Sequence, residues 1–114
     1  MEDCIFCRIV SGEIPSDKVY EDEDVTAFHD IHPMAPVHVI VVPKRHVATL
    51  MDLGSDLSQI MAGLYRAAQE VAKRMAIDQR GFRTVINCNS EGGQIVYHLH
   101  MHVLGGTRLK DDLA

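Results

Sequence analysis

Residues 98–104 read His-Leu-His-Met-His-Val-Leu, a histidine at every second position with apolar residues between. Strict alternation is the period of a β-strand, in which successive side chains point to opposite faces. His98, His100 and His102 therefore share one face, and Leu99, Met101 and Val103 take the other. Any sheet built on this strand has one apolar face to bury and one face lined with imidazoles. Three imidazoles in a row make a poor core. They make a good site for phosphate or metal, or for moving protons near neutral pH.

The rest of the chain supplies neighbours for that strand. Residues 4–9 are a short, mostly apolar segment before a turn at Ser11-Gly12-Glu13. Residues 18–21 and 25–28 read as short strands flanking Asp22-Glu23-Asp24, which predicts a hairpin. Residues 31–36 are a proline-bounded loop, and the β-branched run 37–42, closed by Pro43, predicts a central strand. Then the period changes. Leu57, Ile60, Met61, Leu64, Ala68, Val71, Ala72 and Met75 recur at three and four, which predicts one amphipathic helix of about five turns. Ser55 fits its N-cap and Gly81 lies beyond its end. Residues 82–88 and 96–104 alternate again and are expected to pair antiparallel across the loop 89–95, leaving 108–114 as a loose tail. This order predicts an α+β fold: an antiparallel sheet with the long helix on its apolar face and the histidines on the other. The length of 114 residues suits a single domain over 1–114.

Composition narrows the partners. Eleven Lys and Arg against sixteen Asp and Glu give a net charge of −5. General nucleic-acid or membrane-surface binding needs a basic field, so neither is expected. A small phosphorylated ligand needs only a local positive pocket. The start of the chain has no basic stretch followed by an apolar run, and the longest apolar run, 39–42, is far too short to span a bilayer. Three cysteines, with Cys4 and Cys7 spaced C-x-x-C, do not make a secreted disulfide framework. A cytoplasmic protein is expected.

Spacing along the histidine strand leaves two chemistries open. Residues two apart sit about 6.5–7 Å apart, so His98 to His102 spans about 13 Å. Three rings cannot attack one atom, but neighbours can touch one phosphoryl group. His100, flanked on both sides, is then the natural nucleophile, able to form a phospho-histidine that divides one hard transfer into two easier ones. Alternatively, adjacent histidines hold one zinc with a third ligand from elsewhere. His38 lies in the central strand on the face of Ile40 and Val42, and it joins the site if that strand neighbours the histidine strand. Gly92-Gly93-Gln94 immediately precedes the triple. The glycines allow close backbone approach and a nest of N–H groups for an anion, and Gln94 adds an amide donor.

These features resemble the histidine triad superfamily, whose signature is His-φ-His-φ-His-φ-φ with φ apolar. Residues 98–104 satisfy every position. Ile5-Phe6, Gly12-Glu13-Ile14-Pro15-Ser16, Ala27-Phe28-His29-Asp30-Ile31, Ala35-Pro36-Val37-His38, Val42-Pro43-Lys44-Arg45-His46, Gly92-Gly93-Gln94-Ile95-Val96-Tyr97-His98 and Gly105-Gly106 look like its Hint branch. The resemblance implies a homodimer whose two sheets join into one, a purine nucleotide site in each subunit, and hydrolysis of nucleoside phosphoramidates at the P–N bond without a catalytic cofactor. By position His100 is the nucleotidylated nucleophile, His38 and His102 contact the phosphate, and His98 supports them. Asp30 matches a ribose-binding carboxylate; Phe6, Ile9, Phe28, His29 and Ile31 match the nucleoside pocket; Asn87, Gly93, Gln94 and Ile95 match positions beside the phosphate. Departure of the amine needs a proton, which a histidine with a pKa near the operating pH can relay.

Two positions depart from the branch. Ile95 stands where serine is common and cannot donate a hydrogen bond. Thr107 stands where arginine is common. The Cys4–Cys7 pair matches members that bind structural zinc together with two histidines, here His46 and His98. The tetrahedral S₂N₂ set Cys4, Cys7, His46 and His98 is chemically sensible. Cys88 reads as a small buried residue. Other functions compatible with the same residues are a dinucleoside polyphosphate hydrolase, a purine-nucleotide-binding or scaffold protein with weak catalysis, and a plain zinc enzyme.

Overall fold

The N-terminal apolar segment folds as a helix, α1 (Ile5–Val10), in the computed structural model, which describes residues 3–113. Met1, Glu2 and Ala114, the outermost residues of the leader and tail readings, lie outside the described residues. Only six residues long, α1 depends on tertiary contact, since short helices are marginal in isolation. Phe6 and Ile9 supply that contact by burying themselves, and the Sγ of Cys4 at the N-cap accepts the Cys7 N–H at 3.3 Å. The sequence had no periodicity long enough to announce it.

The strands follow as β1 (Lys18–Glu21), β2 (Val25–His29) and β3 (Val37–Pro43), then a single 3₁₀ turn (Leu50–Asp52), the long helix α2 (Leu57–Arg74), β4 (Phe82–Val85) and β5 (Met101–Gly105). They form one antiparallel sheet in the order β1-β2-β3-β5-β4. The expected hairpin turns on Asp22, whose Oδ1 accepts the N–H groups of Asp24 and Val25 at 2.7 and 2.9 Å. No helix among the described residues is long and apolar enough to cross a membrane.

Helix α2 lies on one face of the sheet. Its buried residues Ile60, Leu64, Ala67, Ala68, Val71 and Ala72 join Val39, Val41, Leu99, Met101 and Val103 in the main core. The stripe read from the sequence is therefore the stripe that packs. Gly81 does lie beyond the helix end, but the proposed start needs correction. Ser55 is not the N-cap: Asp56 takes that position without a side-chain cap bond, and its carboxylate accepts the Gly54 N–H and pairs with Arg45. At the other end Ala76 turns left-handed at φ 58°, with Ile77 N–H bonded to Ala72 C=O and Ala76 N–H to Lys73 C=O. This is a Schellman stop made by alanine where glycine is usual, at a cost of about 1 kcal/mol. Burial of Ile77 in the main core offsets it. Gly81, at φ 104°, only turns the chain into β4.

The two final strands do pair antiparallel, but over less than the expected length. Val85 faces His102, and the ladder goes no further toward the loop. The reason lies in β3. Past Pro43 the chain turns away, so the Pro43 carbonyl is met by the His98 side chain at 2.8 Å rather than by a strand. Leu99 N–H then bonds Val47 C=O. Alternation of sides survives without the ladder: Leu99, Met101 and Val103 all enter the main core. The opposite face carries a second apolar cluster of Phe6, Ile9, Phe28, Ile40 and Val42, on which the imidazoles rest. Residues 108–113 form neither helix nor strand, as the tail reading expected.

Candidate active site

β3 and β5 are neighbours, with Ile40 opposite His102, so His38 does join the histidine face. Its Nε2 lies 2.9 Å from His102 Nδ1 and 3.4 Å from an Asp30 carboxylate oxygen. The backbone settles which nitrogens carry protons. Met34 N–H donates to His38 Nδ1 at 3.0 Å. His38 Nδ1 is therefore an acceptor, and in the neutral ring Nε2 must bear the hydrogen. That N–H points to His102 Nδ1, so His102 in turn carries its proton on Nε2. At His100 the order is reversed: Nδ1–H donates to the His98 carbonyl at 2.7 Å, which leaves Nε2 bare. The His100 and His102 rings are 5.1 Å apart. One face thus offers a bare nitrogen as nucleophile beside an N–H donor, an arrangement suited to attack on a phosphoryl group whose oxygens need hydrogen bonds.

The same geometry discriminates between the two chemistries left open by spacing. Asp30, His38 and His102 place ligand-type atoms within 4.8 Å of one another. A metal on His38 Nε2 would force the ring proton onto Nδ1, against the Met34 N–H. The cluster is instead satisfied as a hydrogen-bonded chain. His38 also cannot pass its proton along, because both its nitrogens would then be bare. What its Nε2–H does in this geometry is fix the tautomer of His102.

Burial keeps these rings neutral. It pushes His102 down to about 4, aided by His100 and His38 and opposed by Asp30. His38 and His100 are also lowered, chiefly by burial. The ordinary histidine value is 6.5, so between there and about pH 4 the unfolded chain takes up protons that the native state refuses. Stability then rises with pH across this window and is lost as pH falls through it. Melting temperature is expected to drop by several degrees from about pH 7 to about pH 4.5, and by less in His102→Gln. A flat profile, or an equal drop in the variant, would contradict this electrostatic account.

His98 has a different role from its neighbours. Its ring is fully buried; Nε2–H donates to the Pro43 carbonyl, and Nδ1 faces Cys4 Sγ at 3.3 Å and Cys7 Sγ at 3.5 Å. Cys7 Sγ is also 3.2 Å from His46 Nδ1. What His98 lends to His100 is its backbone carbonyl. Burial and the adjacent Cys4 push the Cys7 thiol up, a trend that a bound divalent cation would reverse by pairing with thiolate.

The remaining candidates are distributed around this centre. Phe6 is edge-on to His100 at 5.1 Å and to Phe28 at 5.7 Å. Phe6, Ile9 and Phe28 are buried, His29 is half-buried at the end of β2, Ile31 is exposed and Asn87 is half-buried just past β4. Asp30 Oδ1 accepts the His32 N–H at 2.7 Å, which holds the carboxylate against His38. The glycine loop differs from its reading. Gly93 and Gln94 give their N–H groups to the carbonyls of Ser90 and Asn89, so they do not form an open anion nest. The Gln94 side chain is also spent. Its Nε2 donates to the Ala48 and Val96 carbonyls and its Oε1 accepts Asn89 N–H, so it anchors the loop rather than offering a free donor. Gly92 is required by crowding, since a Cβ there would lie 2.5 Å from the Cys88 carbonyl oxygen. Sequence reasoning missed Met34 N–H and the Pro43 carbonyl altogether. Backbone groups leave no residue signature.

A five-stranded antiparallel sheet with alternating histidines on the face opposite its helix defines a histidine triad protein. Comparison with known proteins agrees. The HIT domain matches residues 11–109. The purine nucleoside phosphoramidase of Escherichia coli (strain K12) is 42% identical over 113 residues, covering 99% of this chain and 95% of that protein. A HIT family hydrolase from Legionella pneumophila superposes with a TM-score of 0.93 at 42% identity, covering 98% of this chain and 100% of its own. A histidine triad protein from Clostridium difficile gives 0.93 at 48% identity, with 96% of each chain covered. The chain belongs to the HIT domain family.

Proposed function

We propose that the protein hydrolyses purine nucleoside phosphoramidates through a nucleotidyl-His100 intermediate. The carrying observation is the proton placement: His100 Nε2 bare, with its Nδ1–H held on the His98 carbonyl at 2.7 Å. His100 Nε2 attacks phosphorus as the P–N bond breaks, and the leaving nitrogen takes its proton from solvent water as the amine departs. The His98 carbonyl stabilises the positive charge that develops on the ring, and His102 Nε2–H donates to a phosphoryl oxygen. Water then attacks the nucleotidyl-histidine and releases the nucleoside monophosphate. Asp30 receives the ribose hydroxyls, and the apolar residues around Phe6, Ile9, Phe28 and Ile31 receive the base. The phosphoramidase relative, at near full length, supports this reading over a dinucleoside polyphosphate hydrolase or a scaffold. Protein treated with chelator is expected to turn over adenosine phosphoramidate. No turnover by folded protein would refute the assignment.

The Cys4, Cys7, His46 and His98 set supports a structural zinc site. Its four ligand atoms lie within 4.8 Å of one another. Sulfur–nitrogen contacts of 3.2–3.5 Å suit a tetrahedron with Zn–S about 2.3 Å and Zn–N about 2.0 Å. The Pro43 carbonyl, by holding His98 Nε2–H, aims Nδ1 at the cluster, the usual outer-shell arrangement for a metal-binding histidine. Bound there, zinc would tie the N-terminus to the start of the histidine segment. A homodimer is part of the same proposal: β4 is an edge strand with its outer side unpaired among the described residues, and Phe82 on it is exposed. Light scattering at micromolar concentration is expected to give twice the mass of one chain, and a monomer would overturn it. A cytoplasmic location fits a C-x-x-C pair used as metal thiolates rather than as part of a disulfide framework.

A further inference from the structure

A cleft of about 340 Å³ lies between the start of β4 and the segment that follows β5, with Arg80, Phe82, Arg83, Thr107, Arg108 and Leu109 among its walls. Its volume falls in the range of roughly 300–1,000 Å³ usual for small-ligand sites. We infer that this cleft is a second anion site, separate from the phosphate position on the histidines, and that it takes a small anion carrying two or more phosphoryl groups.

Charge is the first argument. The chain has an excess of acid, with sixteen Asp and Glu against eleven Lys and Arg. Three of its arginines line this one cleft, and no carboxylate does. Elsewhere the surplus acid finds the arginines. Arg8 pairs with Glu13, Arg45 with Asp56 and Arg66 with Asp22 and Asp24, while Arg74 lies over the Tyr20 ring. Within the cleft Arg108 takes Asp111 through both terminal nitrogens, at 3.2 and 3.0 Å. Arg80 and Arg83 are different. Among the described residues Arg80 has only the Gly106 carbonyl, at 3.4 Å, and Arg83 has no hydrogen bond or ion pair. Arg83 is also half-buried. A guanidinium that has given up part of its water without gaining an anion is poised to bind one.

Geometry selects the class of anion. Arg80 and Arg83 flank Gly81, whose φ of 104° turns the chain into β4 and brings both side chains to the same cleft. Each planar guanidinium can hold one phosphoryl group through two parallel N–H bonds. Two unpaired guanidiniums therefore match linked phosphoryl groups better than a single one. Thr107 adds a hydroxyl, and Phe82 and Leu109 give the cleft an apolar wall.

Register places the cleft beside the active site and outside it. Arg83 is opposite Leu104 on β5, and Leu104 is opposite His38 on β3. Cross-strand partners share a face, so Arg83 stands on the histidine face, two strand spacings or about 10 Å from His38. Asp30, His38, His100 and His102 do not line the cleft.

The test is calorimetric titration of the whole chain with inorganic triphosphate at low salt. One triphosphate is expected to bind per chain, at least about tenfold more tightly than inorganic phosphate. Arg80→Gln and Arg83→Gln should each weaken binding by at least about tenfold. Arg83→Lys should recover only part of the loss, since an ammonium keeps the charge and not the paired geometry. Arg80 is exposed, so its variant carries little risk to folding. Saturating AMP should leave triphosphate binding intact. No saturable binding to wild type, equal affinity in the double variant Arg80→Gln, Arg83→Gln, or displacement by AMP overturns the site. A double variant that scatters light at half the wild-type mass also overturns it, because the arginines would then serve a second copy of this chain.

Discussion

Replacing His100 with Ala is expected to cut turnover of adenosine phosphoramidate by at least about 10³-fold. Its Nε2 is the nitrogen left bare on the substrate side, because the His98 carbonyl occupies its other edge. Neither neighbour can substitute. His102 presents an N–H there, and His38 is capped by Met34 N–H on one edge and bonded to His102 on the other. Mass spectrometry of rapidly quenched wild type should show a nucleotidyl adduct on His100. The adduct should persist in His102→Ala, formed more slowly, since that change removes a donor to the phosphoryl group and not the nucleophile. Wild-type-like activity in His100→Ala would refute the covalent mechanism.

The second large effect concerns stability. Protein purified without added metal is expected to hold one zinc per chain, and the double variant Cys4→Ser, Cys7→Ser to hold none. A ligand held at about 1,000 times its dissociation constant stabilises by about 4 kcal/mol, which for a domain of this size moves Tm on the order of 10–20 °C. The loss should appear in melting curves before it appears in the chemical step, because His98 serves His100 through its carbonyl and not its ring. Zinc absent from wild type under reducing conditions, or unchanged zinc in the double variant, would reject the site. Activity abolished by mild chelation of a still-folded protein would point to a catalytic metal instead.

Much of the candidate site was legible because its residues are periodic. Alternation at 98–104 put the imidazoles on one face and Leu99, Met101 and Val103 in the main core, and it did so even where the ladder does not form. The stripe from Ile60 to Ala72 identified the covering helix, since burial of an amphipathic face is a property of spacing. Less was legible at ends and in loops. Helix α1 is too short to show a period, Ala76 stops α2 against its own propensity, and Asp56 displaces Ser55 as the N-cap. In each case a tertiary contact, such as Phe6 and Ile9 in the second cluster or Ile77 in the core, outweighs the local preference.

By itself the sequence determined which side chains are available and on which face of a strand they stand, because a two-residue period needs no knowledge of neighbours. Only the tertiary structure decided what those side chains do. Pairing of β3 with β5 brought His38 to His102, and the loop before β3 delivered Met34 N–H, which locks the protons of both rings. The turn after Pro43 left a carbonyl for His98, so one member of an apparently uniform triple faces two cysteines while the next is freed as a nucleophile. Protonation and orientation of an imidazole are set by the groups that meet its two nitrogens. Those groups come from distant parts of the chain, and several of them are backbone atoms that every residue shares.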